Sequence, residues 1–210
     1  MKLDIIDVGR NPYKETWDYQ KDLHRKRYKG EIDDTLVLVE HPHVYTLGKN
    51  AEQANLTASS MFLQNKDVEV VNVDRGGDIT YHGPGQIVGY PVFNLQCHNM
   101  GIKKYVDLVE QVIIETCGEF GINAKRIEGL TGVWVGIQKI AAIGIRVSKW
   151  TTYHGFALNV STDLSLYNGI IPCGIVDKGV TRMVDHNPDV TIEDVKGLLI
   201  KQFTKLFGFE

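Results

Sequence analysis

Two stretches of the chain repeat apolar residues with the period of an α-helix. Between Ile102 and Phe120 they recur every three or four positions, as expected for a helix that covers a core with one face. A second stretch follows Thr191 and Asp194, which are spaced like a helix capping box. Its apolar face comprises Val195, Leu198, Leu199, Phe203 and Leu206. The pattern predicts a long central helix and a carboxyl-terminal helix.

The remaining segments predict one more long helix and a series of short strands. Asn11 and Pro12 form a predicted cap and first turn of a helix that reaches about Lys29. Thr57 is the predicted cap of a short helix ending near Leu63. Apolar and β-branched runs predict strands at residues 2–8, 35–39, 44–47, 68–73, 87–95, 131–137, 139–147 and 153–160. Residues 75–89, with five glycines and one proline, read as a loop.

The order of these elements indicates the fold class. Helices at both ends and a strand-rich middle do not form a regular βαβ alternation, so we expect an α+β fold with a mixed sheet flanked by helices. A chain of 210 residues allows one domain over residues 1–210, or that domain with a small subdomain.

Composition excludes several classes of protein. Hydrophobic residues make up 43% and charged residues 23%, which is globular rather than disordered. A net charge of −3 predicts no nucleic-acid partner. No apolar run approaches the roughly 18 residues of a membrane span, and an acidic residue near the amino terminus argues against a signal peptide. Three widely spaced cysteines fit a reduced cytoplasm and form no metal-binding spacing.

Glycine is more frequent than in an average protein, with 21 of 210 residues. The excess is uneven, since 16 of the 21 glycines lie between Gly76 and Gly179. In the run RGGDITYHGPGQ at 75–86, glycines alternate with side chains that can donate hydrogen bonds. Such backbone can approach a ligand closely. The alternative is a glycine-rich hairpin turn without a ligand. The run is neither a P-loop nor a dinucleotide-binding fingerprint.

Two further residues are candidates for chemistry. Cys173 lies between Pro172 and Gly174, on a stiff loop suited to a nucleophile, although a free cysteine is often buried and inert. Lys139 is a lone charge entering an apolar run, where it is either a base or a hairpin lysine reaching water. Cys117 is expected in the core and Cys97 at the surface. Both are therefore poor candidates for a nucleophile.

A basic block at residues 24–29 ends the first predicted helix. The helix dipole alone favours cations at this position. The alternative is a docking patch for an acidic protein.

Together these motifs resemble the lipoyl(octanoyl) transferase family. The matching motifs, in the family's order, are Glu40-His41-Pro42 with Thr46-Leu47-Gly48, RGGDITYHGPGQ at 75–86, TGVWV at 131–135, KIAAIG at 139–144, HGFALN at 154–159 and PCGI at 172–175. They span residues 35–182. The resemblance implies a fold like the catalytic domain of biotin and lipoate protein ligases.

The resemblance also implies roles for particular residues. Cys173 matches the nucleophile that carries the acyl thioester, and Lys139 matches the lysine that favours its thiolate. The matching substrate-binding residues are Arg75, Gly76, Gly77, Asp78, Ile79, Thr80, Tyr81, His82, Ala142, Ile143, Gly144, Gly155, Phe156 and Ala157. His41 and His154 lie in matching motifs at the pocket. Phe156 stands where leucine is usual, and Arg182 where a small serine is common.

The implied reaction moves an octanoyl group from acyl carrier protein to a lysine, with no cofactor or metal. The implied acceptors are lipoyl domains of 2-oxoacid dehydrogenases and the glycine cleavage H protein. Three alternatives stay open: an ATP-dependent lipoate ligase on the same fold, a non-enzymatic module that binds carrier protein, and a cysteine hydrolase.

Overall fold

The computed structural model describes residues 1–171 and 179–210. Four α-helices lie at Tyr13–Tyr28 (α1), Ser60–Asn65 (α2), Ile102–Glu119 (α3) and Ile192–Phe207 (α4). The strands are Leu3–Arg10 (β1), Asp34–Glu40 (β2), Val44–Leu47 (β3), Glu69–Asn72 (β4), Ile79–His82 (β5), Gln86–Val92 (β6), Ala124–Ile127 (β7), Leu130–Val135 (β8), Gln138–Ser148 (β9) and Thr151–Asn159 (β10). Short 3-10 helices lie at Gln53–Asn55, Leu164–Gly169 and Met183–Asp185.

The strands form two sheets. The larger has seven strands in the order β1-β2-β6-β10-β9-β8-β7, and the smaller has three in the order β4-β3-β5. Each sheet has one parallel pair, β1 with β2 and β3 with β4, and the other pairs are antiparallel. The mixed sheets and flanking helices confirm the α+β prediction. The single-domain assignment of residues 1–210 stays a prediction.

The two faces of the large sheet carry different side chains because residues alternate along each strand. Leu36 and Leu38 of β2 join the main core with α3 and α4. Val37 and Val39, which alternate with these leucines along the strand, pack with Leu23 of α1 on the other face. That other face, between α1 and the small sheet, carries the cavity described below.

Local capping differs from the sequence-based prediction at two helices. Pro12 rather than Asn11 is the N-cap residue of α1, and the Asn11 side chain bonds to Thr16 instead. Helix α2 is capped by Ser59, whose hydroxyl accepts a hydrogen bond from the Phe62 amide, rather than by Thr57. Serine and threonine are both favourable N-cap residues, and these two are only two positions apart. The sequence alone therefore does not decide which of them caps the helix.

The glycine-rich segment predicted as a loop contains strand β5. Its residues Thr80 and Tyr81 pair with Thr46 and Tyr45 of β3, a long-range partner that local composition does not reveal. The sequence predicts strands 131–137 and 139–147 on either side of Gln138, which suggests a tight hairpin. The structure confirms the hairpin, as β8 and β9, and places its turn earlier, at Gly136 and Ile137.

The cysteines divide as expected where the structure describes them. Cys117 is fully buried, and burial raises the pKa of its thiol to about 12. Cys97 is exposed. Cys173 lies outside the described residues. Among the described residues, no helix is long and apolar enough to cross a membrane.

Candidate active site

A cavity of about 560 Å³ lies over three neighbouring strands of the large sheet; we call it the central cavity. Its floor is made of small residues that face each other across the sheet. Gly144 of β9 pairs with Gly155 of β10, and Ala142 pairs with Ala157. Val88 of β6 continues the second row. Because these positions carry little or no side chain, the sheet surface is left open for a slender apolar ligand.

The segment that begins at Arg75 forms one wall of the central cavity. The Gly76 amide donates a hydrogen bond of 2.9 Å to the Ile145 carbonyl on β9. A Cβ atom on Gly144 would lie 2.9 Å from the Gly76 carbonyl oxygen, so this approach requires glycine. The wall and the floor are therefore fitted to each other at Gly144.

Arg75 and Asp78 hold the wall in shape. The Arg75 guanidinium is buried and donates to the Thr46 carbonyl at 2.6 Å and hydroxyl at 2.8 Å. One Asp78 oxygen accepts from the Ile79 amide at 2.7 Å, and the other from the Asn55 side chain at 2.6 Å. Both side chains position the backbone of the wall through the small sheet and the 3-10 helix beside it.

Of the candidate site residues within the part of the chain that the structure describes, Tyr81 is the one that does not border the central cavity. Its ring lies edge-on to Tyr45 and Tyr167, and its hydroxyl bonds to His43 at 2.8 Å. A Cβ on Gly83 would fall 1.8 Å from that hydroxyl oxygen. The TYHG part of the motif thus includes a structural tyrosine and the glycine that makes room for it.

The other described candidates border the central cavity. They are Lys139, Arg75, Gly76, Gly77, Asp78, Ile79, Thr80, His82, Ala142, Ile143, Gly144, Gly155, Phe156 and Ala157. The Phe156 ring itself stacks on Phe203 of α4. The structure therefore brings together residues from three separate sequence motifs, while their roles toward a substrate stay predictions.

Lys139 lies where the chain returns from residues 172–178. Its amide donates to the Gly179 carbonyl at 2.9 Å, and its carbonyl accepts from the Thr181 amide at 3.0 Å. Lys139 is half-buried, and its ammonium is 4.8 Å from the centre of the Trp134 ring. On the other side of that segment, the Ile171 amide donates to the Asn55 carbonyl at 2.8 Å. One flank of the segment that contains Cys173 is thus hydrogen-bonded to Lys139, which borders the central cavity. The other is bonded to Asn55, whose side chain bonds to the cavity residue Asp78.

A hydrogen-bonded row of three side chains also reaches the central cavity. His154 is buried, and its Nε2 bonds to Asp74 at 2.9 Å while its Nδ1 lies 3.3 Å from the Tyr13 hydroxyl. This hydrogen bond to His154 is the main cause that holds the pKa of Asp74 well below its usual range. Because a carboxylate accepts, the Nε2 of neutral His154 carries the proton and Nδ1 accepts from Tyr13.

Two more buried histidines lie beside this row. His41 donates through Nδ1 to the Asn11 carbonyl at 2.7 Å and accepts at Nε2 from the Tyr90 hydroxyl at 2.8 Å. Burial lowers the pKa of His41 to about 4 and that of His82 well below its usual value. Burial also lowers the pKa of His154, against the opposing effect of Asp74. All three are neutral at pH 7 and serve as fixed donors and acceptors.

His154 and His82 border the central cavity, whereas His41 is behind it and contacts it through Tyr90. Sequence reasoning missed Tyr13, Tyr90 and Asp74. Tyr13 and His154 are 141 positions apart, so no local pattern links them. Asp74 directly precedes the RGG motif, and this position is the one sequence feature that could have marked it as a site residue.

The arrangement suits a slender apolar group, held along a side-chain-poor floor with a lysine at one end. Within residues 1–171 and 179–210, no group of three His, Cys, Asp or Glu side chains is placed to hold a metal ion.

Comparison with known proteins agrees with this geometry. Residues 12–204 match the family model of the lipoyl protein ligase A/B catalytic domain. An octanoyltransferase of Flavobacterium johnsoniae is 45% identical over 227 aligned positions, covering 100% of this chain and 98% of the relative.

Solved structures share the fold. A bipartite lipoate protein ligase from Thermoplasma acidophilum superposes with a TM-score of 0.76 at 16% identity, covering 100% of this chain and 85% of the other. A biotin protein ligase from Aquifex aeolicus, in complex with biotin and ATP, gives a TM-score of 0.58 at 13% identity, covering 99% and 71%. These likenesses confirm the predicted fold class.

Proposed function

The chain belongs to the family of lipoyl protein ligase A/B catalytic domains, and from this we propose that it is an octanoyltransferase of lipoate biosynthesis. It takes an octanoyl group from acyl carrier protein and transfers it to a lysine of a lipoyl domain. The acceptors are lipoyl domains of 2-oxoacid dehydrogenases and the glycine cleavage H protein. The cytoplasmic location predicted from the cysteines belongs to the same proposal.

The observation that carries the proposal is the position of Lys139. It borders a cavity with a floor of paired glycine and alanine residues, and its backbone holds the chain next to the segment that contains Cys173. A slender cavity fits an eight-carbon chain, and a nearby ammonium stabilises a thiolate.

In the first step, the Cys173 thiolate attacks the carbonyl carbon of the octanoyl thioester. The bond from that carbon to the carrier's sulfur breaks, and the carrier leaves as a thiol after taking up a proton. The proton lost from Cys173 passes to Lys139 as general base and returns to the leaving sulfur. One thioester replaces another, so the step needs no ATP.

In the second step, the ε-amine of the acceptor lysine attacks the Cys173 thioester. The new C–N bond forms, the C–S bond breaks, and the amine's proton passes through Lys139 to the Cys173 sulfur. An amide replaces a thioester, which makes transfer favourable. The Gly77 backbone amide is a candidate to bind the oxyanion, whereas the Gly76 amide already donates to the Ile145 carbonyl.

Intact mass after incubation with octanoyl-acyl carrier protein tests the nucleophile. The wild type should gain one octanoyl group that hydroxylamine removes, and Cys173→Ala should gain none. Cys97→Ala is the matched control, because Cys97 is exposed and outside the cavity, and it should gain the group like the wild type. An adduct on Cys173→Ala would refute the assignment.

The same reaction separates the open alternatives. An ATP-dependent ligase would release pyrophosphate from ATP with free octanoate and form no adduct. A binding module would form a complex with carrier protein but no covalent product. A hydrolase would release octanoate to water even when a lipoyl domain is present.

A further inference from the structure

Glu110 is a buried carboxylate that the proposed mechanism does not use. It is one of the buried residues of α3 and is 5% exposed. Its Oε1 accepts a hydrogen bond of 2.9 Å from the Gly132 amide on β8, and its Oε2 accepts one of 2.8 Å from the Arg126 guanidinium on β7. A buried charge is costly unless it is paired and hydrogen-bonded, so this carboxylate is fixed by partners on two neighbouring strands.

These two partners lie where the pairing of β7 with β8 is irregular. Between the regular pairs on either side, β7 has one residue, Arg126, whereas β8 has three, residues 131–133. Gly132 is the middle one of the three and has a φ of +126°. The Glu110 carboxylate therefore supplies hydrogen bonds at the point where the strand ladder is interrupted.

Lys139 lies beside a second irregularity, on the other side of β8. Val133 pairs with Ala141, and the next residue of β8 pairs with Lys139, which leaves Ile140 as an extra residue in β9. Bulges of this kind often occur next to active sites, where they redirect a side chain. The Lys139 side chain passes over Gly132, since a Cβ on that glycine would lie 3.5 Å from Lys139 Cδ. The course of the lysine side chain thus depends on where Gly132 is held.

We propose that Glu110 is a positioning residue for the general base: it fixes Gly132 and so directs the Lys139 ammonium toward the central cavity, which Lys139 borders. The inference rests on the proposed function, in which that ammonium stabilises the thiolate of Cys173. Without the carboxylate, the Gly132 amide must turn toward another acceptor, because an unpaired buried amide is costly. The lysine side chain then loses the surface on which it lies, and its ammonium is less well placed to stabilise a negative charge.

The pH midpoint of Cys173 alkylation measures this effect. It is determined in a Cys97→Ala background, where the remaining thiol, Cys117, is fully buried. Glu110→Leu has a side chain of similar size but no acceptor for the amide. It should raise the midpoint by roughly half a unit or more, toward the value in Lys139→Met.

Two further substitutions at Glu110 separate position from charge. Glu110→Asp keeps the charge, but its shorter side chain withdraws from Gly132, so it should raise the midpoint as well; it replaces the leucine variant if that variant fails to fold. Glu110→Gln removes the charge but still accepts from the Gly132 amide, and it should not raise the midpoint. Loss of a nearby negative charge alone would have the opposite effect, because a carboxylate disfavours a thiolate. A lower midpoint in Glu110→Leu would therefore overturn the inference.

Arg126→Met is the control for loosened packing. It removes the ion pair with Glu110 but leaves the hydrogen bond to Gly132 in place. It should lower the urea concentration at which half of the protein is unfolded, without raising the pH midpoint of alkylation. An equal rise in Arg126→Met and Glu110→Leu would show that Glu110 is merely structural.

The outcomes separate this inference from the proposed function. If Lys139→Met raises the pH midpoint while Glu110→Leu and Glu110→Asp keep the wild-type value, the positioning role is wrong and the proposed base stands. If Lys139→Met leaves the midpoint unchanged, Lys139 is not the base. The proposed function then loses that step, and the inference falls with it.

Discussion

At the scale of single residues, Gly132 makes room for Lys139. A Cβ on Gly132 would lie 2.8 Å from the Ala141 carbonyl oxygen and 3.2 Å from the Lys139 Cε. The residue also has φ of +126°, which a side chain disfavours. The lysine proposed as the base thus depends on a glycine seven positions away, across the hairpin.

Gly132→Ala should displace the Lys139 ammonium and weaken its effect on Cys173. We expect the pH midpoint of Cys173 alkylation, measured in a Cys97→Ala background, to rise, as we also expect for Lys139→Met. Gly136→Ala is the matched control: it also has a positive φ, in the same hairpin, but its Cβ would contact nothing within 4 Å. An equal shift in both glycine variants would show that backbone strain, rather than crowding of Lys139, is the cause.

Gly144 links the floor of the central cavity to its wall. Alanine there would press on the Gly76 carbonyl and on Arg75 Cδ, 2.9 and 3.0 Å away. A displaced wall should lower octanoyl transfer about tenfold or more, because small errors in placing reacting groups are costly. Gly197→Ala in α4, where a Cβ meets nothing, should leave transfer unchanged. Full transfer activity in a folded Gly144→Ala enzyme would contradict the fitted wall.

At the scale of elements, the end of α1 is anchored to the body of the protein. Arg27 forms an ion pair with Asp34 of β2, and the two side chains are 11% and 2% exposed. Arg25, by contrast, is paired with Asp22 at the surface. The basic block at residues 24–29 therefore contains one buried structural cation, and a docking role for its exposed members stays a prediction.

Charge reversal separates these two roles. Arg27→Glu places a carboxylate beside buried Asp34 and should lower the free energy of unfolding by about 3–5 kcal/mol. Arg25→Glu should change it by about 0.5 kcal/mol or less. Urea unfolding of both variants measures the difference. Docking of the acidic acyl carrier protein is then tested with Arg25→Glu alone, because Arg27→Glu is expected to destabilise the protein.

The helices and strands were largely predictable from the sequence because their signal is local. The apolar stripe of α3 and the alternation within β9 and β10 depend only on neighbouring residues. Strand β5 was missed because its evidence is its pairing with β3, more than thirty positions away. The prediction of the N-cap of α2 was wrong because two suitable residues, Thr57 and Ser59, lie close together.

The sequence predicted those residues of the candidate site that lie in recognisable motifs. Sequence reasoning placed Arg75, Lys139 and Gly144 at one site, and all three border the central cavity. It could not tell that Tyr81 points elsewhere, since alternation within β5 becomes meaningful only once the sheet is assembled. Nor could it find Tyr13, whose contacts come from strands far along the chain.

At the scale of the whole molecule, the junction of α1 and the two sheets is built around neutral histidines. His41, His82 and His154 are each at least 94% buried, and each has a hydrogen-bond partner from another element. Every one has a pKa below its ordinary value because burial disfavours the imidazolium. The unfolded chain, where histidine has its usual pKa near 6.5, binds protons more readily.

Stability should therefore fall as the pH drops below about 6.5. A lowered folded-state pKa means that the unfolded state takes up protons first, so acid favours unfolding between the two pKa values. For His41, with a folded pKa of about 4, the loss from pH 7 to pH 5 is of the order of 2 kcal/mol. Asp74 stays ionised in this window because its pKa lies well below it.

Urea unfolding at pH 7 and pH 5 measures this loss in the wild type and in His41→Gln, which cannot titrate. Glutamine can still donate to the Asn11 carbonyl and accept from Tyr90, the two bonds that His41 makes. The variant should be less stable than the wild type at pH 7 but should lose less stability on acidification. If the wild type and His41→Gln lose the same amount between pH 7 and pH 5, His41 is not held neutral by burial. The acid sensitivity would then come from residues other than His41, with His82 and His154 of the same junction among them.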